Sequence, residues 1–466
     1  METFRNITSR LIPGAIILLA IILYIIPVSD PENEKMMRAG ALIVFTLGFW
    51  ATAALPEYMT ALIFLLIAAV SKLASPSIIF SGFHSGAFWL VLGGLIIGLA
   101  VKDTGLGDRL ARWLLSFVSG SYVTATSAIV LLAMVFAFVM PSTMGRVLLM
   151  IPIVSAMAGR LGFSQDSRGR TGMILAATLA CFAPSCAVLP ANVPNMVLAG
   201  ASESLFNIKF AYSHYLKLHY LVIGIGKGMA IVALATFLFG ERVSHAPAEQ
   251  LKPLAPMSRR ELKLIIILMG ALLLWLTDSL HGIPPAWVAL AAGLACILPF
   301  SGVMPESIFN EKINFGILIF VAGVLGVGAV VADTGLADVL GRKLIDFIGF
   351  VPGNDKYNFF SLVLLFTGLG PLTTAAGLPA MMAPLSPDIA TVCGFPLETV
   401  LMTQVIGWSN ILFPFQVPPV IIGIKMGGVK PADGIKFTLA LAAVSLVILM
   451  PINYLWWNFL GVFARF

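Results

Sequence analysis

Val101-Lys102-Asp103-Thr104-Gly105-Leu106-Gly107-Asp108-Arg109-Leu110 returns in the second half of the chain as Val331-Ala332-Asp333-Thr334-Gly335-Leu336-Ala337-Asp338-Val339-Leu340. An apolar, helix-length run precedes each copy, Phe88 to Ala100 and Ile317 to Val330. Gly93, Gly98, Arg112 and Phe117 recur in register as Gly323, Gly328, Arg342 and Phe347. Duplicated membrane units of this kind build secondary transporters, whose substrate site lies where the repeats meet near the bilayer midplane. The repeat predicts a carrier before any side-chain chemistry is considered.

Composition identifies the surrounding solvent. Apolar residues make up 59% of the chain and charged residues 11%, against about 25% charged in a soluble domain. One aqueous-facing core cannot absorb that excess, so the chain is read as solvated by lipid. Runs suited to about 30 Å of hydrocarbon, some with tilt or flanking residues, occur at Leu11 to Val28, Ala39 to Leu55, Met59 to Lys72, Phe88 to Val101, Leu218 to Gly240, Leu262 to Thr277, Trp287 to Phe300, Phe315 to Val331 and Phe437 to Trp456.

The first run follows Arg5 and Arg10 and ends in Pro27-Val28-Ser29-Asp30-Pro31 without a small-x-small cleavage site, which predicts a retained span and a cytoplasmic N-terminus. Counting spans forward puts Arg160/Arg168/Arg170, Arg242/Lys252/Arg259/Arg260/Lys263 and Lys425/Lys430/Lys436 on that same side, as the positive-inside bias of an inner (plasma) membrane requires. The net charge of +6 thus reads as topology; the partners expected are the bilayer and a small solute, with no nucleic acid. Cys181, Cys186, Cys296 and Cys393 sit in or beside apolar runs as small hydrophobes without metal spacing. His84, His214, His219, His245 and His281 lie at run ends or in polar connections, and none pairs with a carboxylate at helical spacing.

The polar stretch Glu241 to Lys263, with Pro247, Pro253 and Pro256, reads as the linker between the halves. The predicted division is scaffold spans and an interfacial arm (1–120), transport elements (121–240), a cytoplasmic linker (241–263), second scaffold spans and arm (264–350) and second transport elements (351–466). The arms are the amphipathic segments Asp108 to Ser119 and Leu336 to Phe350. Each transport section holds two interrupted apolar stretches. Tyr122 to Met157 breaks at Pro141 to Gly145, and Gly172 to Ser202 breaks at Ala183 to Ser185 and Pro190 to Asn195. Phe359 to Leu385 breaks at Gly368 to Gly377, and Thr399 to Lys425 breaks at Phe413 to Pro419. Pro141 and Thr143 map onto Pro371 and Thr373 in the same register as the opening motif.

Non-helical backbone at membrane depth is tolerated only when buried in protein or lining a wet cavity. Each break supplies a half-helix N-terminus whose free N–H groups suit an anion, together with carbonyls that suit a cation. Ser142, Thr143, Asn192, Asn195, Thr373, Thr374, Ser409, Asn410 and Gln416 cluster there. Taken one at a time, such groups more often bond back to their own helix or mediate packing; four breaks in two matching pairs point to a shared site. Arg146 follows the first break within the apolar run Val147 to Ile153, where a cation marks a pathway or site. It would hold a carboxylate, phosphate or sulfonate by paired hydrogen bonds, unless a shallow hairpin lets it snorkel to the surface. Asp103 and Asp333 read as helix-end and turn residues.

This pattern resembles the divalent anion/sodium symporter family, which carries dicarboxylates, citrate or sulfate. The resemblance rests on Trp89 to Leu106 and Phe315 to Leu336, similar to the family's glycine-rich span and Thr-Gly-Leu turn. It rests also on Asn192-Val193-Pro194-Asn195 and Val417-Pro418-Pro419-Val420, similar to its Thr-Pro-Pro-Asn breaks. It implies an all-α polytopic membrane protein, an inverted repeat of about eleven transmembrane helices with two re-entrant hairpins and two broken helices. It further implies a homodimer whose transport elements move against a scaffold in an elevator-type cycle.

The residue reading and the resemblance together set the expected substrate contacts at Ser142, Thr143, Arg146, Asn192, Asn195, Thr373, Thr374, Gln416 and Pro418, and sodium, where it binds, at Ser142, Thr143, Asn192 and Thr373. The family's Ser-Asn-Thr hairpin motif is here Ser142-Thr143-Met144 and, in the second half, Leu372-Thr373-Thr374 or Thr373-Thr374-Ala375, both without asparagine. Val417 and Val420 replace the threonine and asparagine of the last break. These departures predict that Arg146 supplies the charge a sodium ion supplies in relatives. The rivals are a cation/proton antiporter or metalloid-anion permease, which would want a buried carboxylate at a break, and a polytopic enzyme acting on lipid, which would want converging acid, base or metal groups.

Overall fold

The computed structural model describes residues 2–27, 30–52, 54–115, 121–243 and 256–463, without the side chains of residues 2–11, 111, 114, 115 and 306. The described chain is helical with no strand, which closes backbone hydrogen bonds internally as lipid demands. Among the described residues, Gly86–Thr104, Tyr122–Val139, Arg168–Ala187, Tyr212–Phe239, Phe315–Asp333 and Pro431–Phe459 are long and apolar enough to cross a membrane; Ile12–Ile25, Glu57–Val70 and Pro285–Ile297 are shorter apolar helices. Other expected spans are interrupted or carry charge at one end. Arg259–Leu276 opens on Arg259, Arg260, Glu261 and Lys263, and Pro31–Thr52 on Glu32, Glu34, Lys35 and Arg38.

The repeated decapeptide folds alike in both places. Gly86–Thr104 and Phe315–Asp333 each have 19 residues, and the turns after them contain Gly105 (φ 79°) and Gly335 (φ 71°). This left-handed conformation at a helix end favours glycine, which has no Cβ to clash. Helices Leu106–Leu115 and Leu336–Ile348 follow. The end of the first predicted arm, 116–119, lies outside the described residues, as do Val28, Ser29, Phe117 and the linker section 244–255.

Glycine recurrence has a packing cause. A Cβ on Gly93 would lie 2.4 Å from the Ala289 backbone, and one on Gly323 would lie 2.5 Å from Ala61 Cβ. Both glycines therefore let a motif helix press closely on a leading helix, the small-residue packing that membranes favour. Gly98 and Gly328 face other segments, nearest Ser142 and Ala380. The two aspartates also do more than end a helix: Asp103 pairs with Arg260 and Asp333 with Lys35 at 3.0 Å.

Helix Arg259–Leu276 starts on a capping box between Ser258 and Glu261. Arg109 grips the same carboxylate through Nε (2.8 Å) and Nη2 (3.0 Å), and donates to Pro256 O at 3.1 Å. This hydrogen-bonded guanidinium holds the Glu261 carboxyl down at about 2, with the Ser258 bonds assisting. A folded-state value below the unfolded one means that the contribution is complete above the unfolded value of 4.5 and is lost as pH falls towards 2. Wild-type melting temperature, followed from about pH 6 to about pH 3, should therefore fall further than that of Glu261→Gln. Solvent screening on the Arg109 side keeps the difference small; parallel curves would exclude the anchor.

Candidate functional site

Each break is set by residues that cannot continue a helix. Tyr122–Val139 stops ahead of Pro141, which disfavours helical geometry at Met140. Extended Ser142 then caps Thr143–Arg160, its Oγ accepting from Gly145 N at 3.1 Å. Arg168–Ala180 gives way to two short 3-10 turns, Pro184–Ala187 and Leu189–Ala191. Asn192 Oδ1 caps the returning Val193–Phe206 by accepting from Asn195 N at 3.1 Å.

In the second half Asp355–Leu369 ends at Gly370-Pro371, and Thr374 Oγ1 accepts from Gly377 N at 3.2 Å ahead of Gly377–Met382. Leu397–Ser409 ends at Asn410, and Gln416 Oε1 accepts from Leu412 N (2.8 Å) and Phe413 N (2.7 Å). Pro418 opens the next helix at a position where a missing N–H does no harm. Ala375 N donates to Gln416 O at 2.9 Å, stitching the third break to the fourth.

All four breaks meet at one cavity of about 240 Å³. Pro141, Ser142, Thr143 and Met144 come from the first, Asn192, Val193 and Pro194 from the second, Thr374, Ala375 and Ala376 from the third, and Gln416 to Pro419 from the fourth. Glu57, Val91, Leu95, Asn314, Ile317 and Phe320, from helices Glu57–Val70, Gly86–Thr104 and the start of Phe315–Asp333, add a wall, and Phe182 and Met196 also line it. The N-terminal turns of Thr143–Arg160, Val193–Phe206 and Pro418–Met426 thus lie at the cavity wall, a setting whose partial positive charges suit an anion.

Six of the nine expected contact residues line this cavity: Ser142, Thr143, Asn192, Thr374, Gln416 and Pro418. Asn195, Thr373 and Arg146 do not. Asn195 turns inward and donates to Cys186 O (3.0 Å) and Val188 O (2.9 Å). Thr373 is buried and its hydroxyl has no hydrogen-bond partner.

Arg146 is wholly buried, so it does not snorkel. Its Nη1 donates to Met140 O (2.6 Å) and Ala191 O (3.0 Å), Nη2 to Cys181 O (2.7 Å), Ser185 Oγ (2.9 Å) and Thr143 Oγ1 (3.1 Å), and Nε to Cys181 O (3.2 Å). A guanidinium has five N–H groups, and these contacts occupy them. The sequence leaves Arg146 either against the anion or snorkelling; in the structure it lies behind the cavity wall, donating to carbonyls that the first and second breaks leave free.

A second buried cation escaped the sequence reading. Lys227 Nζ donates to Ser409 O (2.7 Å), Ser409 Oγ (2.7 Å) and Asn410 Oδ1 (2.6 Å) at the fourth break. Asn410 Nδ2 donates in turn to Thr367 Oγ1 at 3.3 Å, beside the third. The signal was available, since Lys227 is the one ordinarily charged residue within the apolar run Leu218 to Gly240. A π-helical segment, Tyr220–Gly226, immediately precedes it; such wide turns gather at functional sites.

A sodium ion wants several oxygens free to coordinate it. Here Thr143 Oγ1 and the break carbonyls of residues 140, 181 and 191 already accept from Arg146, and the oxygens at Ser409 and Asn410 already accept from Lys227. Of the expected set, Ser142, Thr143 and Asn192 meet at the cavity, and Thr373 lies off it. Ser142 and Asn192 are spent on helix caps, and only the Thr373 hydroxyl remains without a partner. The residues present do not fit sodium.

Comparison with known proteins accords with this architecture. Residues 6–463 match the family described as the sodium:sulfate symporter transmembrane region. A membrane protein of Cupriavidus necator is 22% identical over 96% of this chain and 93% of its own length. The L-tartrate/succinate antiporter of Escherichia coli K12 is 23% identical over 81% of this chain and 79% of its own. The YdaH transporter of Alcanivorax borkumensis shares the fold at a TM-score of 0.55 and 16% identity, covering 98% of this chain and 99% of that one. The chain belongs to the sodium:sulfate symporter family and is a multi-pass membrane transporter of the anion-carrying class, not an enzyme.

Proposed function

We propose that the chain is a secondary active transporter that carries a small dianion, a dicarboxylate or sulfate, through this cavity by alternating access. The observation that carries the reading is the meeting of four helix breaks at one small cavity. Its volume lies below the range of about 300–1,000 Å³ typical of drug-sized ligands, which favours a small solute over the lipid of the enzyme alternative. The L-tartrate/succinate antiporter among its relatives supports the dicarboxylate choice. Ser142, Thr143, Asn192, Thr374 and Gln416 would supply polar contacts, while Arg146 and Lys227 hold the tips in shape.

Coupling without sodium belongs to the same proposal, because two tethered cations hold the oxygens an ion would need. So do the inverted repeat, the re-entrant hairpins, the elevator movement, the homodimer and a cytoplasmic N-terminus in the inner membrane. Counterflow of labelled L-tartrate, succinate and sulfate into proteoliposomes tests the reading. At least one anion should exchange, equally in sodium and in choline. Exchange of none would overturn the anion reading; strict sodium dependence would overturn the coupling.

A further inference from the structure

Among the residues lining the cavity, Glu57 is the one ionisable side chain. A carboxylate facing a cavity lined by electropositive helix tips is out of place in a site for dianions, unless its charge is meant to change. Its place is well defined. Glu57 follows Pro56 at the start of Glu57–Val70, and its own carbonyl accepts from the buried Trp50 indole at 3.1 Å.

The plain explanation for an acidic residue in a first turn is attraction to the helix N-terminus. That attraction needs no hydrogen bond and favours the ionised group at rest; nothing else holds it, since the Glu57 carboxyl makes no hydrogen bond or ion pair with the described residues. Helices Pro31–Thr52, Pro76–Ile79 and Phe315–Asp333 pack on Glu57–Val70. The charges they carry are matched elsewhere, Lys35 with Asp333 and Arg38 with Glu34, apart from Glu32 in the first turn of Pro31–Thr52. Tyr58 turns to Gly316, and no charged side chain acts on Glu57.

Resting on the anion-carrier reading above, we propose that Glu57 is the proton-binding group of the cycle and makes transport proton-linked. Ionised, its carboxylate repels a dianion entering the cavity. Protonated, it loses that charge and presents an O–H that donates to the incoming carboxylate or sulfate. The proton comes from water on the side to which the cavity is open. After the cavity opens to the other side and the anion departs, Glu57–COOH returns to Glu57–COO⁻ and releases H⁺ to water there. One proton accompanies each dianion, and no other reactant is needed.

The test is binding, read as the ligand-induced rise in melting temperature of the detergent-purified full chain, with succinate, L-tartrate and sulfate between about pH 7 and about pH 9, where all three are fully ionised. Wild-type affinity should weaken about tenfold per pH unit, as linkage to one proton requires. Glu57→Gln, which keeps the shape and stays neutral, should bind with an affinity that does not change with pH; Glu57→Asp should restore the slope. A flat wild-type profile, or a Glu57→Gln profile as steep as wild type, overturns the proton link while leaving the anion site intact. No shift with any anion at any pH overturns the carrier reading and this one with it.

Discussion

Arg146→Ala should abolish anion exchange in proteoliposomes and lower the melting temperature of the purified protein, while Arg146→Lys retains the fold and part of the exchange. The side chain donates to three backbone carbonyls from three separate segments, Met140, Cys181 and Ala191, and to the hydroxyls of Thr143 and Ser185. Truncation leaves these acceptors without their donor in a dry region, at about 1–3 kcal/mol for each group that finds no other partner. Relaxation recovers some of this, so a loss on the order of 4 kcal/mol is expected.

At about 1.4 kcal/mol per factor of ten, that amount is enough to depopulate a tip geometry by more than about a hundredfold. Lysine keeps the charge but offers three donors in place of five, so it can hold some of the five acceptors and not all. Undiminished exchange by Arg146→Ala would show that the first two breaks keep their shape without the guanidinium.

The breaks were legible because proline ends helices for a local reason, a missing N–H at Pro141, Pro371 and Pro414, and the ends of the motif helices because Gly105 and Gly335 allow a left-handed turn. Their convergence was legible too, since interrupted backbone in a membrane must be buried or wetted. What could not be read was which way a side chain points once the breaks meet. Arg146 was visible as a costly cation, but the carbonyls that receive it stand 35 and 45 residues further along the chain. Asn195 reads as a ligand in the sequence, but the two 3-10 turns bring Cys186 O and Val188 O to its amide, a contact that no local pattern announces.

Glu57 was hidden for a different reason. It lies in the short gap between two apolar runs, where a charged residue is ordinary, and only the packing of Glu57–Val70 against Phe315–Asp333 brings it to the cavity. The aspartates of the repeat show the same limit. Their turn role follows from the Thr-Gly that comes next, whereas Arg260 and Lys35, which pair with them, are 157 and 298 residues away.

Lys227→Met should likewise remove exchange, and Lys227→Ala should make the protein's stability respond to sodium where the wild type does not. The ammonium serves the fourth break as the guanidinium serves the first and second. Its three bonds of 2.6–2.7 Å all run to neutral oxygens, and charge-assisted bonds of this kind are about twice as strong as neutral ones. Methionine fills the volume and supplies no donor, so the Ser409 carbonyl and the Asn410 amide oxygen must find others or the helix end must shift. Through Asn410 and Thr367 that shift reaches the third break, and through Ala375 N and Gln416 O the third and fourth breaks move together.

Alanine removes the bulk as well and leaves an oxygen-lined gap beside the C-terminal end of Leu397–Ser409, whose carbonyls attract a cation. Sodium binding only to that folded form would raise its melting temperature by mass action, and choline, which is too large and has no bare charge to coordinate, would not. Equal melting curves of Lys227→Ala in sodium and choline, together with undiminished exchange by Lys227→Met, would remove the lysine from any part in holding the break. A wild type that itself melts higher in sodium would mean that an ion binds beside the two side-chain cations, and the argument from occupied oxygens would fail.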